Sequence, residues 1–171
     1  MTPQVLEFIS SNREKLAGRI IEIGSRYENG TVRDVVDIAV GVDMRKGVGV
    51  DLVAPVESLL SHFKPGEFDA CVSTETLEHC SDWKEFVRVT WSLVKDDGWL
   101  VMTMASKFKS RHAYPDDYVR FEEEQIRMIY PNAEFIGPLG RVSIGWVVKK
   151  SGELGDLDSI IPLPVLDKVK K

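Results

Sequence analysis

Two acidic residues follow short apolar runs that are typical of buried strands, where a carboxylate can bind ligand hydroxyls. Glu22 lies in the run at residues 19–24, and Asp43 ends the run at residues 37–43. An acid about 20 positions after the first strand is well placed to accept hydrogen bonds from ribose. Asp51 closes a second Gly-Val-Asp sequence eight residues after Asp43. The ribose role is therefore open between Asp43 and Asp51, and Asp43 has the better spacing.

The loop after the first apolar run begins with Gly24. A glycine directly after a strand lets a ligand approach the backbone closely. A dinucleotide-binding loop has the pattern G-x-G-x-x-G, but Arg26 and Tyr27 stand where that pattern needs small residues. The sequence therefore disfavours a pyrophosphate site, and a plain strand-to-helix turn is the structural alternative.

The elements that must position these residues alternate along the chain. Apolar residues at helical spacing predict helices over residues 3–16, 82–94 and 121–130. Short apolar runs predict strands over residues 19–24, 37–43, 49–53, 68–73, 99–104, 133–137 and 141–150. Strands that alternate with helices form mostly parallel α/β sheets, in which ligands bind beyond the carboxyl ends of the strands.

The connection between the second and third predicted strands is unusually short. Only residues 44–48 separate Asp43 from Gly49. A parallel crossover normally takes about 10–12 residues or more. Either the crossover helix is missing and the third strand is short, or this segment is partly a hairpin.

Length and charge are typical of one globular domain. The chain has 171 residues, 22 basic and 27 acidic, and its net charge of −5 argues against binding to nucleic acid or an anionic membrane. We expect one domain over residues 1–150 and a C-terminal tail over residues 151–171.

No apolar run approaches the roughly 20 residues of a membrane span. The N-terminal sequence lacks the pattern of a signal peptide, and two cysteines make neither a disulfide framework nor a zinc site. These features predict a cytoplasmic protein.

Three segments carry a family resemblance. The segment FDACVSTETLEHCSDWKEFVRVTWSLVKDDGWLVMT at residues 68–103 resembles the corresponding region of class I S-adenosylmethionine-dependent methyltransferases, with LEH as its specific part. EIGSRYENGTVR at residues 22–33 is similar to a variant of their glycine-rich loop, and HAYPDDYVRF at residues 112–121 is similar to a segment that some of them carry. The resemblance covers residues 19–137. It implies a Rossmann-like, mostly parallel sheet with helices on both faces and an antiparallel last strand, here shortened between strands 2 and 3.

The resemblance also implies a cofactor, S-adenosyl-L-methionine, and the residues that bind it. Glu22 and Gly24 match positions that face the methionine part, within a loop that also contains Ser25, Arg26 and Asn29. Asp43 matches the acid that binds ribose. The remaining implied contacts lie beside the adenine, at Met44, Pro55 and Val56, and beside the sulfonium, at Ser73, Thr74 and Glu75.

Candidate catalytic and acceptor-binding residues lie in the other two motif segments. His79 and His112 are candidate general bases, because a histidine titrates near neutral pH. Tyr114, Tyr118 and Arg120 follow His112 in a long polar stretch, and we predict that they bind the methyl acceptor. Alternatively, His79 caps a helix and this stretch is a solvated surface loop.

Three functions compete at this point. The resemblance favours a methyltransferase that acts on a small acceptor. The second function is a nucleotide-binding oxidoreductase, which is disfavoured because the loop after the first strand departs from the G-x-G-x-x-G pattern. The third is a catalytically inactive methyltransferase-like module that binds a protein partner, suggested by the shortened crossover and the altered glycine loop. We expect acceptor specificity to come from the N-terminal helix, residues 107–121, the tail or a partner chain. A small basic patch at Lys107, Lys109 and Arg111 is the one feature that would suit a nucleic acid.

Overall fold

Seven strands form one mixed sheet in the computed structural model, which describes residues 1–112 and 117–167. The strands, in chain order, are β1 (Ile20–Ile23), β2 (Val40–Asp43), β3 (Leu52–Val53), β4 (Phe68–Thr74), β5 (Val94–Ala105), β6 (Ala133–Leu139) and β7 (Ser143–Lys149). Their spatial order is β3-β2-β1-β4-β5-β7-β6. The pairs from β3 to β5 are parallel, whereas β7 runs antiparallel to both β5 and β6. The predicted Rossmann-like sheet with an antiparallel last strand is confirmed.

Helices cover both faces of this sheet. They are α1 (Pro3–Ser11), α2 (Trp83–Leu93) and α3 (Glu123–Ile129), with 3₁₀ turns at Val32–Asp34, Val56–Ser61, Leu77–His79 and Leu157–Ser159. Helix α1 and the first 3₁₀ turn pack on one face, and α2, α3 and the second 3₁₀ turn pack on the other. The central strands β1 and β4 are buried on both faces, which explains their continuous apolar sequences.

Helix α1 is shorter than the apolar spacing predicts. The Thr2 hydroxyl accepts a hydrogen bond from the Val5 amide and caps its N-terminus. The helix ends at Ser11, where Asn12 caps the last turn. Leu16 is still buried, but it reaches the core from the turns that follow the helix. The periodic pattern therefore continued past the end of the helix because it records burial, and not backbone conformation.

The crossover between β2 and β3 contains no helix. Val42 pairs with Leu52 and Asp43 with Val53 in parallel register, which excludes the hairpin alternative. Gly49 has a φ of +87°, and a Cβ on it would lie 2.6 Å from the Ser25 carbonyl oxygen. The turn therefore needs glycine at this position. The missing helix leaves β3 as a two-residue edge strand.

Residues 151–167 pack against the rest of the domain. Leu157, Ile160 and Val165 are buried, and the Leu163 amide donates a hydrogen bond to the Arg120 carbonyl. This segment has little regular structure, yet it contacts the start of α2 through the ion pair between Asp158 and Lys84, and it contacts the chain at Arg120. In the described part of the chain, none of the helices has the length and apolar character needed to span a bilayer.

Candidate functional site

A cavity of about 530 Å³ opens at the carboxyl ends of β1, β2 and β4. This is the edge of a doubly wound sheet at which ligands bind. Most of the predicted site residues line it: Glu22, Gly24, Ser25, Arg26, Asn29, Asp43, Met44, Pro55, Val56, Thr74, Glu75, His79, His112 and Tyr118. The topology thus brings the predicted cofactor residues and both candidate bases to one cavity.

Three predicted site residues are placed differently. Ser73 is buried within β4, and its hydroxyl donates a hydrogen bond of 2.8 Å to the Ile23 carbonyl on β1. Arg120 is also buried, and its guanidinium binds Asp117 behind the cavity wall. Tyr114 lies outside the residues that the structure describes. Ser73 and Arg120 therefore support the wall of the cavity and do not line it.

Glu22 brings a buried carboxyl group to the cavity. Its side chain is 2% exposed, and its Oε2 atom has no hydrogen-bond partner among the described residues. Burial raises the pKa of Glu22 from 4.5 to about 7, against the opposing effect of the Arg33 guanidinium. A buried carboxylate without partners is unfavourable. A cationic or hydrogen-donating ligand in the cavity would relieve that cost.

Asp43, and not Asp51, is the aspartate that lines the cavity. One oxygen of Asp43 accepts a hydrogen bond of 2.8 Å from the Arg45 amide at the turn after β2. The Asp51 carboxylate instead accepts a hydrogen bond of 2.7 Å from the Gly41 amide and pairs with Arg33. Asp51 therefore ties the short crossover to β2, and Asp43 stays at the cavity.

Three backbone amides of the loop after β1 already donate hydrogen bonds within the protein. The amides of Gly24 and Ser25 both donate to the Val42 carbonyl, over 2.8 and 3.0 Å, and the Tyr27 amide donates to the Val48 carbonyl over 2.9 Å. A pyrophosphate-binding loop needs such amides to point at the ligand. These three amides are therefore not available to bind a phosphate.

His79 and His112 meet at the side of the cavity that Tyr118 also lines. Their Nε2 atoms are 3.1 Å apart, with the rings edge to face. The Nδ1 atom of His112 lies 2.9 Å from Asp117 Oδ2, and Arg120 Nη2 donates to the same oxygen over 2.7 Å. Burial and the nearby Lys109 ammonium lower the pKa of His112, which favours its neutral imidazole. A neutral imidazole beside a carboxylate is suited to accept a proton.

Glu75 stands between the two ends of the cavity. Its backbone is in the left-handed region, with φ of +52°, a strained conformation that non-glycine residues adopt infrequently. Lys109 Nζ lies 3.2 Å from Glu75 Oε2, and the Glu75 amide donates to the Thr103 carbonyl. These contacts hold the carboxylate of Glu75 at the end of β4, within reach of a ligand bound beside Glu22.

Comparisons with known proteins agree with this geometry. Residues 26–102 match a family described as a methyltransferase domain. The matched segment is slightly less than half of the chain, and it supports the resemblance to class I methyltransferases. No curated protein sequence matches the chain.

The chain is also similar to solved structures of methyltransferases. One is 1,6-didemethyltoxoflavin-N1-methyltransferase of Burkholderia thailandensis with bound 1,6-didemethyltoxoflavin and S-adenosylhomocysteine, with a TM-score of 0.67 and 13% identity over 86% of this chain and 79% of that chain. A second is a SAM-dependent methyltransferase of Aquifex aeolicus, with a TM-score of 0.59 and 12% identity over 85% of this chain and 92% of that chain. A third is a SAM-dependent methyltransferase of Thermotoga maritima, described as a possible histamine N-methyltransferase. Its TM-score is 0.60, with 17% identity over 85% of this chain and 92% of that chain. At these identities the likeness shows the fold.

Several residues line the cavity although no sequence signal assigned them to it. Lys109 belongs to the basic patch seen in the sequence, but its salt bridge to Glu75 depends on the path of the loop after β5. Cys80 follows the LEH motif directly. Burial, with the nearby charges of Glu57 and Glu78, raises the pKa of Cys80 to about 12, so the thiol is not a nucleophile at neutral pH. Others are Met1, Thr2, Ile23, Glu28, Gly30, Val42, Arg45, Ala54, Thr76, Ser81 and Phe86.

Proposed function

We propose that this protein is an S-adenosylmethionine-dependent methyltransferase that acts on a small acceptor. The observation that carries the proposal is a set of three carboxyl groups, Glu22, Asp43 and Glu75, at the cavity ends of three adjacent strands. The cofactor is cationic at its sulfonium and its ammonium, and it carries ribose hydroxyls. Carboxylates in a partly dry cavity suit all three groups.

The orientation of the cofactor follows from this arrangement. The unpartnered oxygen of Glu22 suits the ammonium of the methionine part. Asp43, at the neighbouring strand end, suits the ribose hydroxyls, with Met44, Pro55 and Val56 beyond it for the adenine. Glu75 then lies near the sulfonium. These assignments are proposals that rest on position and charge.

The occupied loop amides favour this cofactor over a dinucleotide. The amides of Gly24, Ser25 and Tyr27 donate to carbonyls of the protein, so a pyrophosphate would find few donors there. Carboxylates would also repel its negative charge. This observation supports a methyl donor over the nicotinamide cofactor of an oxidoreductase.

The histidine pair supports a role in deprotonating the acceptor. In methyl transfer, a lone pair of the acceptor forms a bond to the methyl carbon while the carbon–sulfur bond breaks and its electrons stay on sulfur. An oxygen or nitrogen acceptor also loses a proton, which we assign to the pair formed by His112 and His79. Tyr118 lines the same side of the cavity and is our candidate to contact the acceptor. The bound small molecule of the Burkholderia neighbour supports an acceptor of that size class.

The alternative is an inactive module that binds a protein partner. Two features favour it: the two-residue strand β3 and the ion pair between Arg26 and Glu28 in the loop that faces the cavity.

Cys71 and Cys80 are both free, which supports the prediction of a reducing, cytoplasmic compartment for either function.

Calorimetry with S-adenosylhomocysteine tests the proposal. We expect binding of one molecule per chain and no heat with NAD⁺ or NADP⁺ under the same conditions. Absence of S-adenosylhomocysteine binding at millimolar ligand would overturn the proposed cofactor. Binding without turnover across a panel of hydroxyl, amine and thiol acceptors would favour the inactive module, and any turnover would exclude it.

A further inference from the structure

Three side chains with metal-ligating atoms meet at the histidine side of the cavity. Glu78 and His79 belong to the 3₁₀ turn Leu77–His79, and His112 belongs to the loop after β5. One ligand atom from each residue lies within 4.8 Å of the other two. The two Nε2 atoms are 3.1 Å apart, and Glu78 Oε1 is 3.9 Å from His79 Nε2. Two imidazole nitrogens bound to one zinc-sized ion at about 2.0–2.1 Å are separated by roughly 3 Å, so the observed spacing fits a shared ion.

Glu78 gives an independent indication of a cation. Its side chain is fully buried, and its Oε1 atom accepts a hydrogen bond of 3.1 Å from the Ala105 amide. Its Oε2 atom has no hydrogen-bond partner in residues 1–112 and 117–167. A buried carboxylate oxygen without a partner is costly, and buried charges are normally paired or bound to a metal. A cation between Glu78 and the two histidines would supply the missing partner.

The surroundings of His112 orient it as a ligand. Asp117 Oδ2 lies 2.9 Å from His112 Nδ1 and accepts a hydrogen bond of 3.2 Å from the His112 backbone amide. These contacts hold the ring with its Nε2 atom 3.1 Å from His79 Nε2. Asp117 is itself fixed by the buried guanidinium of Arg120. Metal-binding histidines almost always have such a carboxylate or carbonyl at their second nitrogen. Arg120, which does not reach the cavity, thereby contributes to the position of His112.

We propose that Glu78, His79 and His112 form a binding site for one divalent transition-metal ion of the zinc class, with an open coordination position toward the cavity. Two imidazoles and one carboxylate are a ligand set for Zn²⁺ or a neighbouring first-row ion, whereas Mg²⁺ and Ca²⁺ require oxygen ligands. His79 and His112 line the cavity, so the open position is accessible to a small molecule. Metal binding rests on this geometry alone, and its role toward the methyl acceptor rests on the proposed function.

The ion would bind and activate the acceptor. An acceptor hydroxyl in the open position loses its proton to water more readily, because the cation stabilises the oxyanion. The lone pair of that oxygen then forms the bond to the methyl carbon, while the carbon–sulfur bond breaks and its electrons remain on sulfur. In the metal-loaded protein the two imidazoles are ligands and not bases. Turnover that depends on added metal distinguishes the two roles.

Titration of tag-free, chelator-treated protein with ZnCl₂ tests the site. We expect one Zn²⁺ per chain, loss of that binding in His79→Ala and His112→Ala, and no heat with MgCl₂. His62→Ala is the matched control, because His62 is the remaining histidine of the chain and is exposed on the surface outside the cavity. Failure of the unaltered protein to bind Zn²⁺, loss of binding in His62→Ala, or full retention in both ligand variants would each overturn the proposal.

Two further measurements keep the test independent of variant folding and of the proposed function. X-ray absorption of the Zn²⁺-loaded unaltered protein should show two imidazole ligands and no sulfur, and a sulfur ligand from Cys80 would contradict the assignment. Asp117→Asn should weaken Zn²⁺ affinity about 10–100-fold, as expected for a residue that orients a ligand. S-adenosylhomocysteine binding is measured on the same samples. Binding of cofactor without Zn²⁺ binding would reject the metal site alone, and the reverse would reject the proposed function alone.

Discussion

The Thr76 side chain occupies the space beside the Cα of Gly24. A Cβ on Gly24 would lie 2.0 Å from Thr76 Oγ1, and Gly24 has a φ of +81°. This contact joins the loop after β1 to the loop after β4 at the floor of the cavity.

Gly24→Ala should therefore destabilise the fold and reduce cofactor affinity. The positive φ costs an alanine about 1–2 kcal/mol, and the clash with Thr76 adds to that cost. Gly152→Ala is the matched control, because Gly152 has a φ of +71° but its nearest neighbouring atom is 3.5 Å from a Cβ. Urea unfolding should show a larger loss for Gly24→Ala than for Gly152→Ala. Equal losses would mean that the Thr76 contact relaxes without cost.

Glu22 should make stability depend on pH. Its pKa rises on folding from 4.5 to about 7, so the folded protein binds the proton more tightly than the unfolded chain does. The stability associated with that proton is fully present below pH 4.5 and is lost as pH rises through 7. At about 1.4 kcal/mol per pKa unit, this rise corresponds to a loss of about 3 kcal/mol in the free energy of unfolding at pH values well above 7.

Glu22→Gln should remove this dependence. We expect the free energy of unfolding of the unaltered protein to fall relative to Glu22→Gln between pH 5 and pH 8, measured by urea titration without cofactor. Glu153→Gln replaces an exposed glutamate outside the cavity and serves as the control. Parallel pH profiles for the unaltered protein and Glu22→Gln would contradict the prediction, because they would mean that folding does not change the pKa of Glu22.

Asp43→Ala should weaken S-adenosylhomocysteine binding by about 1–3 kcal/mol, because it removes the acceptor proposed for the ribose hydroxyls. Asp37→Ala changes an exposed aspartate outside the cavity and should leave the dissociation constant unchanged. Calorimetry on both variants checks the prediction. An unaltered dissociation constant in Asp43→Ala would remove the ribose role from this residue.

Asp51→Ala should affect stability more than cofactor affinity. It leaves the buried Gly41 amide without its acceptor and Arg33 without its ion pair, at an expected cost of about 1–3 kcal/mol in the free energy of unfolding. Asp51→Asn keeps an acceptor for the amide and should lose less. A larger effect on cofactor binding than that of Asp43→Ala would reverse the roles that we give the two aspartates.

His112→Ala should lower turnover about 100-fold or more with little change in cofactor affinity. The dissociation constant of S-adenosylhomocysteine is measured directly, and turnover is measured on an acceptor found in the panel. Tight cofactor binding with lost turnover places His112 on the acceptor side. Weakened cofactor binding with retained turnover would place it on the cofactor side.

Much of the fold follows from local sequence. The runs at residues 19–24, 68–73 and 99–104 are apolar because β1, β4 and β5 are buried on both faces, and their alternation with helical segments indicates a parallel sheet. Element ends were less predictable. Helix α1 ends at Ser11 although Leu16 continues its apolar spacing, because a turn can bury an apolar side chain as well as a helix can.

The sequence by itself determined the fold class, the methyltransferase resemblance and the acids at the first two strand ends, because these depend on residue type and short-range spacing. The tertiary structure decided which acid reaches the cavity, since Asp43 and Asp51 both follow Gly-Val and differ only in the partners that the fold supplies. It also decided that Arg120 turns inward to Asp117, and that His79 and His112, 33 residues apart, meet over 3.1 Å. Such contacts arise where separate loops converge at one sheet edge, and local spacing contains no information about that convergence.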